Sequence, residues 1–528
     1  MKNHWSTVKS MGIFTGGSLP LTERSCLLMS NSMDDKLAFE NEKIIPDIKK
    51  NIARIKEICD STSDLLVNEI EASGIKIALL CCEGMFSTST ITELVLLPLT
   101  KIDIGKTDGK RLYNHMMDRM LMSADRVEAD NYAQLFRAMN SGFAVVIIDG
   151  VGKALAFGVQ GYSVRGISEP SGEQNVTGSH EGFVEVVRTN MSLIRRRMKT
   201  PYLKLELFVM GDKSQTDLCL CYMRDRVPEK LISDIKKSLK KSSLETILST
   251  GYIQPFLQRP RMRFFDSTGT TERPDVLCSK LLEGRVALLV DGTPFAIVIP
   301  KLFTESFQTI DDYNCKPYYA AFIRWIKYTA FMLAILSPAV YIAIAVHHPE
   351  LLNRTLLLIL ADSEKNAPFS LITEAFGVLI MYEVIREAGL RLPKVVGGAV
   401  SIVGGLIIGD AAVESGFIST PVLTVVALAV TSGFVVPDLN QPVTVLRFLF
   451  LICGGLWGLY GISLLGTAVL FNICATEDYG FPYTAPVSPF TFRAMRDIVT
   501  RVGFRKMQHG NFTVEQLNRK QVYMPHDK

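Results

Sequence analysis

The sequence predicts an α/β soluble N-terminal region, built as two related subdomains, followed by an α-helical transmembrane domain of four spans plus one partial membrane element. Three observations predict it. Lys, Arg, Asp and Glu are dense up to about residue 310 and sparse between 328 and 473, where long uncharged runs appear. Upstream of those runs, short apolar β-type segments alternate with amphipathic helical ones. Within that region one hairpin pattern occurs twice, at a constant offset of 142 residues.

Residues 1–40 mix Ser, Gly, Asn and isolated apolar residues without a period, and read as a mobile leader with no secretory core. The first subdomain, 41–167, opens after Pro46 with a helix whose stripe is Ile48, Ile52, Ile55 and Cys59. Residues 75–82 (IKIALLCC) predict a buried strand, and 89–99 a helix ending near Pro98. Residues 142–150 then match 284–292 in character, each an apolar run closed by Asp-Gly (Asp149-Gly150 and Asp291-Gly292) and followed by a second apolar run.

A polar linker rich in turn formers fills 168–182, and the second subdomain covers 183–315. Its first helix carries Val187, Met191, Ile194 and Met198 on one face. Arg195, Arg196, Arg197 and Lys199 crowd the end of that helix, where cations suit the dipole and a solvated cap is expected. Leu203, Leu205, Leu207 and Val209 alternate with polar residues as a half-buried strand, and Gly211-Asp212 turns the chain into 218–223. Residues 228–242 predict an amphipathic helix with Leu231, Ile232, Ile235 and Leu239 on its core side.

The helical membrane domain, 316–474, holds the uncharged segments 328–346, 417–436 and 448–471, each long enough to cross a bilayer of about 30 Å at 1.5 Å per residue. A fourth, 395–413, is apolar except for Asp410, and its Gly397, Ser401, Gly405 and Gly409 recur every four residues as a close-packing face. The segment 369–386 carries Glu374 and Glu383, so it is expected to be the partial element, interfacial, re-entrant or buried in an assembly. Basic residues precede the first span (Lys316, Arg324, Lys327) and fill the 475–528 tail (Arg493, Arg496, Arg501). The positive-inside tendency then puts both flanks in the cytoplasm and asks for an even number of crossings.

Among the classes sought, no phosphate loop, nucleophile elbow, HExxH or zinc spacing occurs, so neither enzyme nor cofactor is supported. The ten cysteines make no CxxC pair and read as reduced thiols. A net charge of +4, unevenly placed, argues against a nucleic-acid binder. His347-His348 reads as a polar boundary after the first span. What remains is ionisable chemistry at membrane depth: Asp410 and Glu414 share a helical face, and with Glu374 and Glu383 they form a candidate ion path. The competing reading leaves Asp410 and Glu414 at the watery end of a short span.

Several motifs together carry a family resemblance: Glu169-Pro170 with Glu173, the run Glu181-Gly182-Phe183-Val184-Glu185, the Asn190 to Arg197 segment, Thr271-Glu272-Arg273-Pro274-Asp275, Asp291-Gly292-Thr293-Pro294, Arg386-Glu387-Ala388-Gly389-Leu390-Arg391-Leu392-Pro393, the Val400 to Gly404 run leading to Gly409, and Pro482-Tyr483 with Ala485-Pro486. With these the sequence resembles, from about Ile48 to His509, the A subunits of GerA-type spore germinant receptors. It departs at Thr177-Gly178-Ser179-His180-Glu181, where the family usually has Arg-Gly-Pro-Arg-Glu. The resemblance implies a subunit of a nutrient-sensing complex in the spore inner membrane, with its N-terminal domain and tail on the cytoplasmic, spore core side. It also implies a permease-like B subunit and a lipoprotein C subunit as partners, and a homo-oligomer that conducts cations. The alternative is a non-conducting scaffold.

Overall fold

The structure is a computed structural model; it describes residues 39–60, 62–100, 108–118, 125–161, 170, 172–173, 175, 177–258, 263–365, 368–391, 411, 413–490 and 495–503. Two compact units emerge, the first comprising 1–60, 64–162 and 199–201, the second 61–63, 163–198 and 202–528.

In the first unit, strands β1 (Leu65–Ala72), β2 (Ile75–Cys82), β3 (Arg126–Ala129), β4 (Phe143–Ile148) and β5 (Ala154–Gly158) form one sheet in the order β1-β2-β4-β5-β3, every neighbour antiparallel. The expected 75–82 strand is β2, whose near-continuous apolar run is buried on both faces. On one face Ile77, Leu79, Val146, Ile148, Leu155 and Phe157 pack against the short helical turns of 88–100 and against Leu112 and Met116 of α2 (Gly109–Asp118). The other face meets α1 (Ile48–Ile58) and α3 (Tyr132–Met139). Asp47 caps α1 by accepting from the N–H groups of Lys49 and Lys50, and Tyr132 ties the two helices by donating to Asn51 Oδ1 at 2.8 Å.

The second unit repeats the plan. Strands β6 (Leu203–Met210), β7 (Thr216–Met223), β8 (Gly269–Thr271), β9 (Val286–Val290) and β10 (Ala296–Ile299) run in the order β6-β7-β9-β10-β8, again antiparallel throughout. Helices α4 (Val187–Arg197) and α7 (Pro274–Leu282) cover one face, α5 (Glu229–Lys241) and α6 (Thr250–Leu257) the other.

The two Asp-Gly hairpins read in the sequence are β4-β5 and β9-β10, and both turn glycines take φ +85, a conformation open to glycine without strain. The likeness extends to single hydrogen bonds. Asn51 bonds both the N–H and the carbonyl of Ile45, and Asn190 does the same to Val184. Gly150 donates to Pro46, and Gly292 donates to Glu185.

Beyond the second sheet the chain turns helical. Helix α8 (Pro317–Ile342) continues as a π turn through Ala343–His347, and is followed by α9 (Arg354–Lys365), α10 (Leu371–Arg391), α11 (Thr420–Phe434) and α12 (Asn440–Ala475). Among the described residues two helices are long and apolar enough to cross a membrane, Pro317–His347 and Pro437–Ala475.

One sequence expectation changes here. The segment 448–471, expected as one crossing, is bent at its middle: Gly458 has φ 61 and ψ −146, and the chain folds back on itself. A Cβ on Gly461 would stand 2.4 Å from the Cys453 carbonyl, and Val469 and Ile473 pack with Val443, Leu446 and Phe450, so α12 is a hairpin of two antiparallel arms. The expected partial element, 369–386, falls largely within α10, an unbroken helix of 21 residues packed along α11 and α12. The segment 395–413 lies outside the described residues but for its positions 411 and 413.

Candidate functional site

The site is the helical domain and the joints that tie it to the second sheet. At the near end of α8, Arg324 is fully buried and donates Nε to Asp312 at 2.8 Å, while Lys327 reaches the other oxygen of Asp312 at 3.3 Å. Arg324 also pairs with Asp497 of the tail at 3.2 Å. Tyr313 donates to Asp497 at 2.8 Å, and burial pushes its hydroxyl pKa upward. Arg501 closes this strap over Tyr313, donating to its carbonyl at 3.0 Å. The described part of the tail is thus structural: Asp497 holds α8 through Arg324, and Arg501 holds the residues just before it.

Both ends of the α12 hairpin sit at the same level. Asp438, just before it, pairs with Lys301 at 3.4 Å; Asp478, just after it, takes a close ion pair from Arg263. From this near end the first arm rises beside α8, and at the far end His347 Nε2 bonds the Gly455 carbonyl at 2.7 Å, with its ring against Gly458. The expected polar boundary at His347 therefore contacts the tip of the hairpin. Helices α10 and α11 descend: Ile372 touches Gly455 near the tip, while Arg386 donates to Asn440 at 3.1 Å and to Thr444 at 3.2 Å near the base.

Of the four candidate carboxylates the structure describes three, Glu374, Glu383 and Glu414. Glu374 is 3% exposed and its Oε1 accepts the Ser419 N–H, capping the start of α11 from the far end of α10. Its Oε2 and the Ser419 hydroxyl have no hydrogen-bond partner among the described residues. Glu383 pairs with Arg386 at 2.6 Å near the base. Glu414 is exposed. Asp410 and the Gly397, Ser401, Gly405 and Gly409 face lie outside the described residues.

On the sheet side the linker is clasped. Arg196 and Arg197, whose helix end was expected to meet water, both pair with Glu181. Arg273 donates to the carbonyls of Glu173 and Ser179, at 3.3 and 2.8 Å, and pairs with Asp275 at 2.7 Å. Thr271 donates to the Glu173 carboxylate at 2.8 Å, and burial raises that carboxyl to about pKa 7. These are the linker and Thr271 to Asp275 motifs of the sequence, brought together. The sequence reading passed over Arg447 and Pro338 because an arginine at the edge of an apolar run looks like a boundary, although a proline inside a span signals a carbonyl in need of a donor.

A sequence model of the Bacillus/Clostridium GerA spore germination protein family matches residues 53–511. The chain belongs to that GerA family. It is 34% identical to spore germination protein KA of Bacillus subtilis (strain 168), over 87% of this chain and 85% of that one. It is 32% identical to the membrane protein YfkQ of the same organism, over 88% and 90%. Spore germination protein GerLA of Bacillus cereus is 28% identical, over 85% and 92%. Among solved structures, the N-terminal domain of the A subunit of the Bacillus megaterium spore germinant receptor GerK3 aligns with 50% of this chain and 98% of its own, at 29% identity and a TM-score of 0.40. Membership of the GerA family places the chain in spore germination, and its long apolar helices agree with a membrane protein.

Proposed function

We propose that this chain is the membrane-embedded A subunit of a nutrient germinant receptor, and that its helical domain relays or conducts the response as a cation path in a homo-oligomer. The observation that carries the reading is the pairing of GerA relatives with a helical domain whose ends are bolted by ion pairs to the second sheet. Nutrient binding falls to a permease-like B subunit, and a lipoprotein C subunit completes the complex in the spore inner membrane.

In this reading α8, α10, α11 and the two arms of α12 each pass through the bilayer. Lys301 before α8 and Asp478 after α12 both belong to the near end, so in this reading both flanks lie on the spore core side. Aromatic residues support the placement: Tyr319 and Trp325 are exposed near the base, Trp457 and Tyr460 near the tip. From Trp325 to His347 a helix rises about 33 Å, close to the hydrocarbon thickness of about 30 Å.

Ion flux in liposomes holding the purified chain, with and without its partners, tests the conducting role. Flux that falls in Asp410→Asn, Glu414→Gln, Glu374→Gln or Glu383→Gln supports it. Silence from fully assembled complexes sinks it in favour of a scaffold, a role favoured by the Lys301–Asp438 and Arg263–Asp478 joints.

A further inference from the structure

Helix α8 is irregular in two places, and α12 touches both. The first is Pro338, which has no N–H to offer, so the carbonyl of Ala334 one turn earlier loses its intrahelical donor. In hydrocarbon an unmet carbonyl is costly, and a neighbouring helix has to supply the bond. Arg447 supplies it. Its side chain is 2% exposed, its Nε donates to the Ala334 carbonyl at 2.7 Å, and its Nη2 donates to the Ala429 carbonyl of α11 at 3.3 Å. A Cβ on Gly433 would stand 3.1 Å from that Nη2, so the absence of a side chain there makes room for the guanidinium. One cation therefore joins α8, α11 and α12. The second irregular place is the π turn at Ala343–His347, where His347 bonds the Gly455 carbonyl beside the hairpin tip. Single π turns and prolines are where helices bend.

We propose that Arg447 is a positioning residue, the pin of a joint at Pro338, and that α8 bends there when the pin leaves the Ala334 carbonyl. The joint lies between the near end of α8, fixed by Asp312 and Asp497, and the far end, held by the hairpin tip. Bending at Pro338 moves one end against the other without unpacking either. The functional half of this proposal rests on the reading that the helical domain relays the germination response; the chemical half does not.

A substitution cycle on the full chain in detergent tests the chemical half. Arg447→Met strands the Ala334 carbonyl, whereas Pro338→Ala returns its donor within α8. Arg447→Met is expected to lower the thermal midpoint by several degrees in the native background and by less than half as much in the Pro338→Ala background. Equal losses in the two backgrounds overturn the pin. The functional half is read in spores: Pro338→Ala, which stiffens the joint while leaving the chain folded, is expected to slow nutrient germination about tenfold, the change that follows from one hydrogen bond's worth of bending cost. Native germination by Pro338→Ala spores overturns the joint as a moving part. If deleting the whole chain leaves germination untouched, the receptor reading fails instead, and the melting cycle still decides the pin.

Discussion

Asp291 Oδ1 accepts the backbone N–H of Val187 at 2.9 Å, so the turn of the second hairpin holds the first residue of helix α4. Asp149 makes the same bond to Ile48 at 3.2 Å, at the start of α1. Helix N–H groups in the first turn have no partner within the helix, and a carboxylate suits the positive end of the dipole. The two copies have thus kept the same long-range cap as well as the same strand order.

Replacing that oxygen should cost what a helix cap costs. Asp291→Ala is expected to destabilise the second unit by about 1–2 kcal/mol, and Asp291→Asn, which keeps an acceptor, by less. Thermal melting of the full chain checks the ranking. Equal losses in the two variants would mean that the charge, not the acceptor, holds α4.

Glu173 makes a pH-dependent contribution. Burial raises its carboxyl to about pKa 7 in the fold, above the ordinary carboxylate range, so the folded chain holds this proton longer than the unfolded one. The stability this adds is full below about pH 4.5, declines as pH rises, and is gone once pH passes about 7. Glu173→Gln imitates the protonated form. It is expected to flatten the melting curve against pH across that window and to raise stability at pH 8 by on the order of 1–3 kcal/mol. An unchanged pH profile would show that Glu173 titrates normally.

Asp312 faces two buried cations at once, Arg324 and Lys327. Removing one partner of a buried pair leaves a stranded charge and costs about 3–5 kcal/mol. Asp312→Asn should therefore loosen the near end of α8 far more than Asp438→Asn, whose partner Lys301 meets a half-exposed carboxylate. Limited proteolysis after residue 309 reads the difference: the Asp312 variant should be cut at lower protease, and equal resistance would remove the lock.

How much of this was legible follows from where each signal lies. The α1 stripe and the Asp-Gly hairpins are local patterns, so period and turn chemistry read them directly. That the two hairpins belong to two sheets of one strand order follows from the repeat, since equal sequence units fold alike. The clasp on Arg196 and Arg197 was not legible, because the partner Glu181 is fixed by tertiary folding and a charged helix end looks solvated in isolation. The bond from the Ser419 N–H to Glu374 was not legible either, because it needs α11 beside α10, and a carboxylate in an apolar segment shows no such partner in a lone helix. A hydropathy window running through 448–471 is uniformly apolar, and so hides the bend at Gly458.

That bend gives the sharpest test. Gly458 sits at φ 61 and ψ −146, a backbone conformation essentially closed to L side chains, and a Cβ there would stand 3.0 Å from the Cβ of His347. Gly458→Ala therefore meets backbone strain and a contact together, whereas Gly466→Ala meets only a distant Phe450 ring at 4.0 Å. The first should cost about 1–3 kcal/mol and the second little. Cysteine crosslinking across the arms reports the fold itself: cysteines placed at Phe450 and Gly466 face each other in the hairpin, where a Cβ on Gly466 would stand 4.0 Å from the Phe450 ring, but lie about 24 Å apart along a continuous helix. Crosslinking within one chain supports the hairpin, and Gly458→Ala should reduce its yield. Failure to crosslink with a short bifunctional thiol reagent when Gly458 is kept, with the variant folded, would restore a single straight crossing.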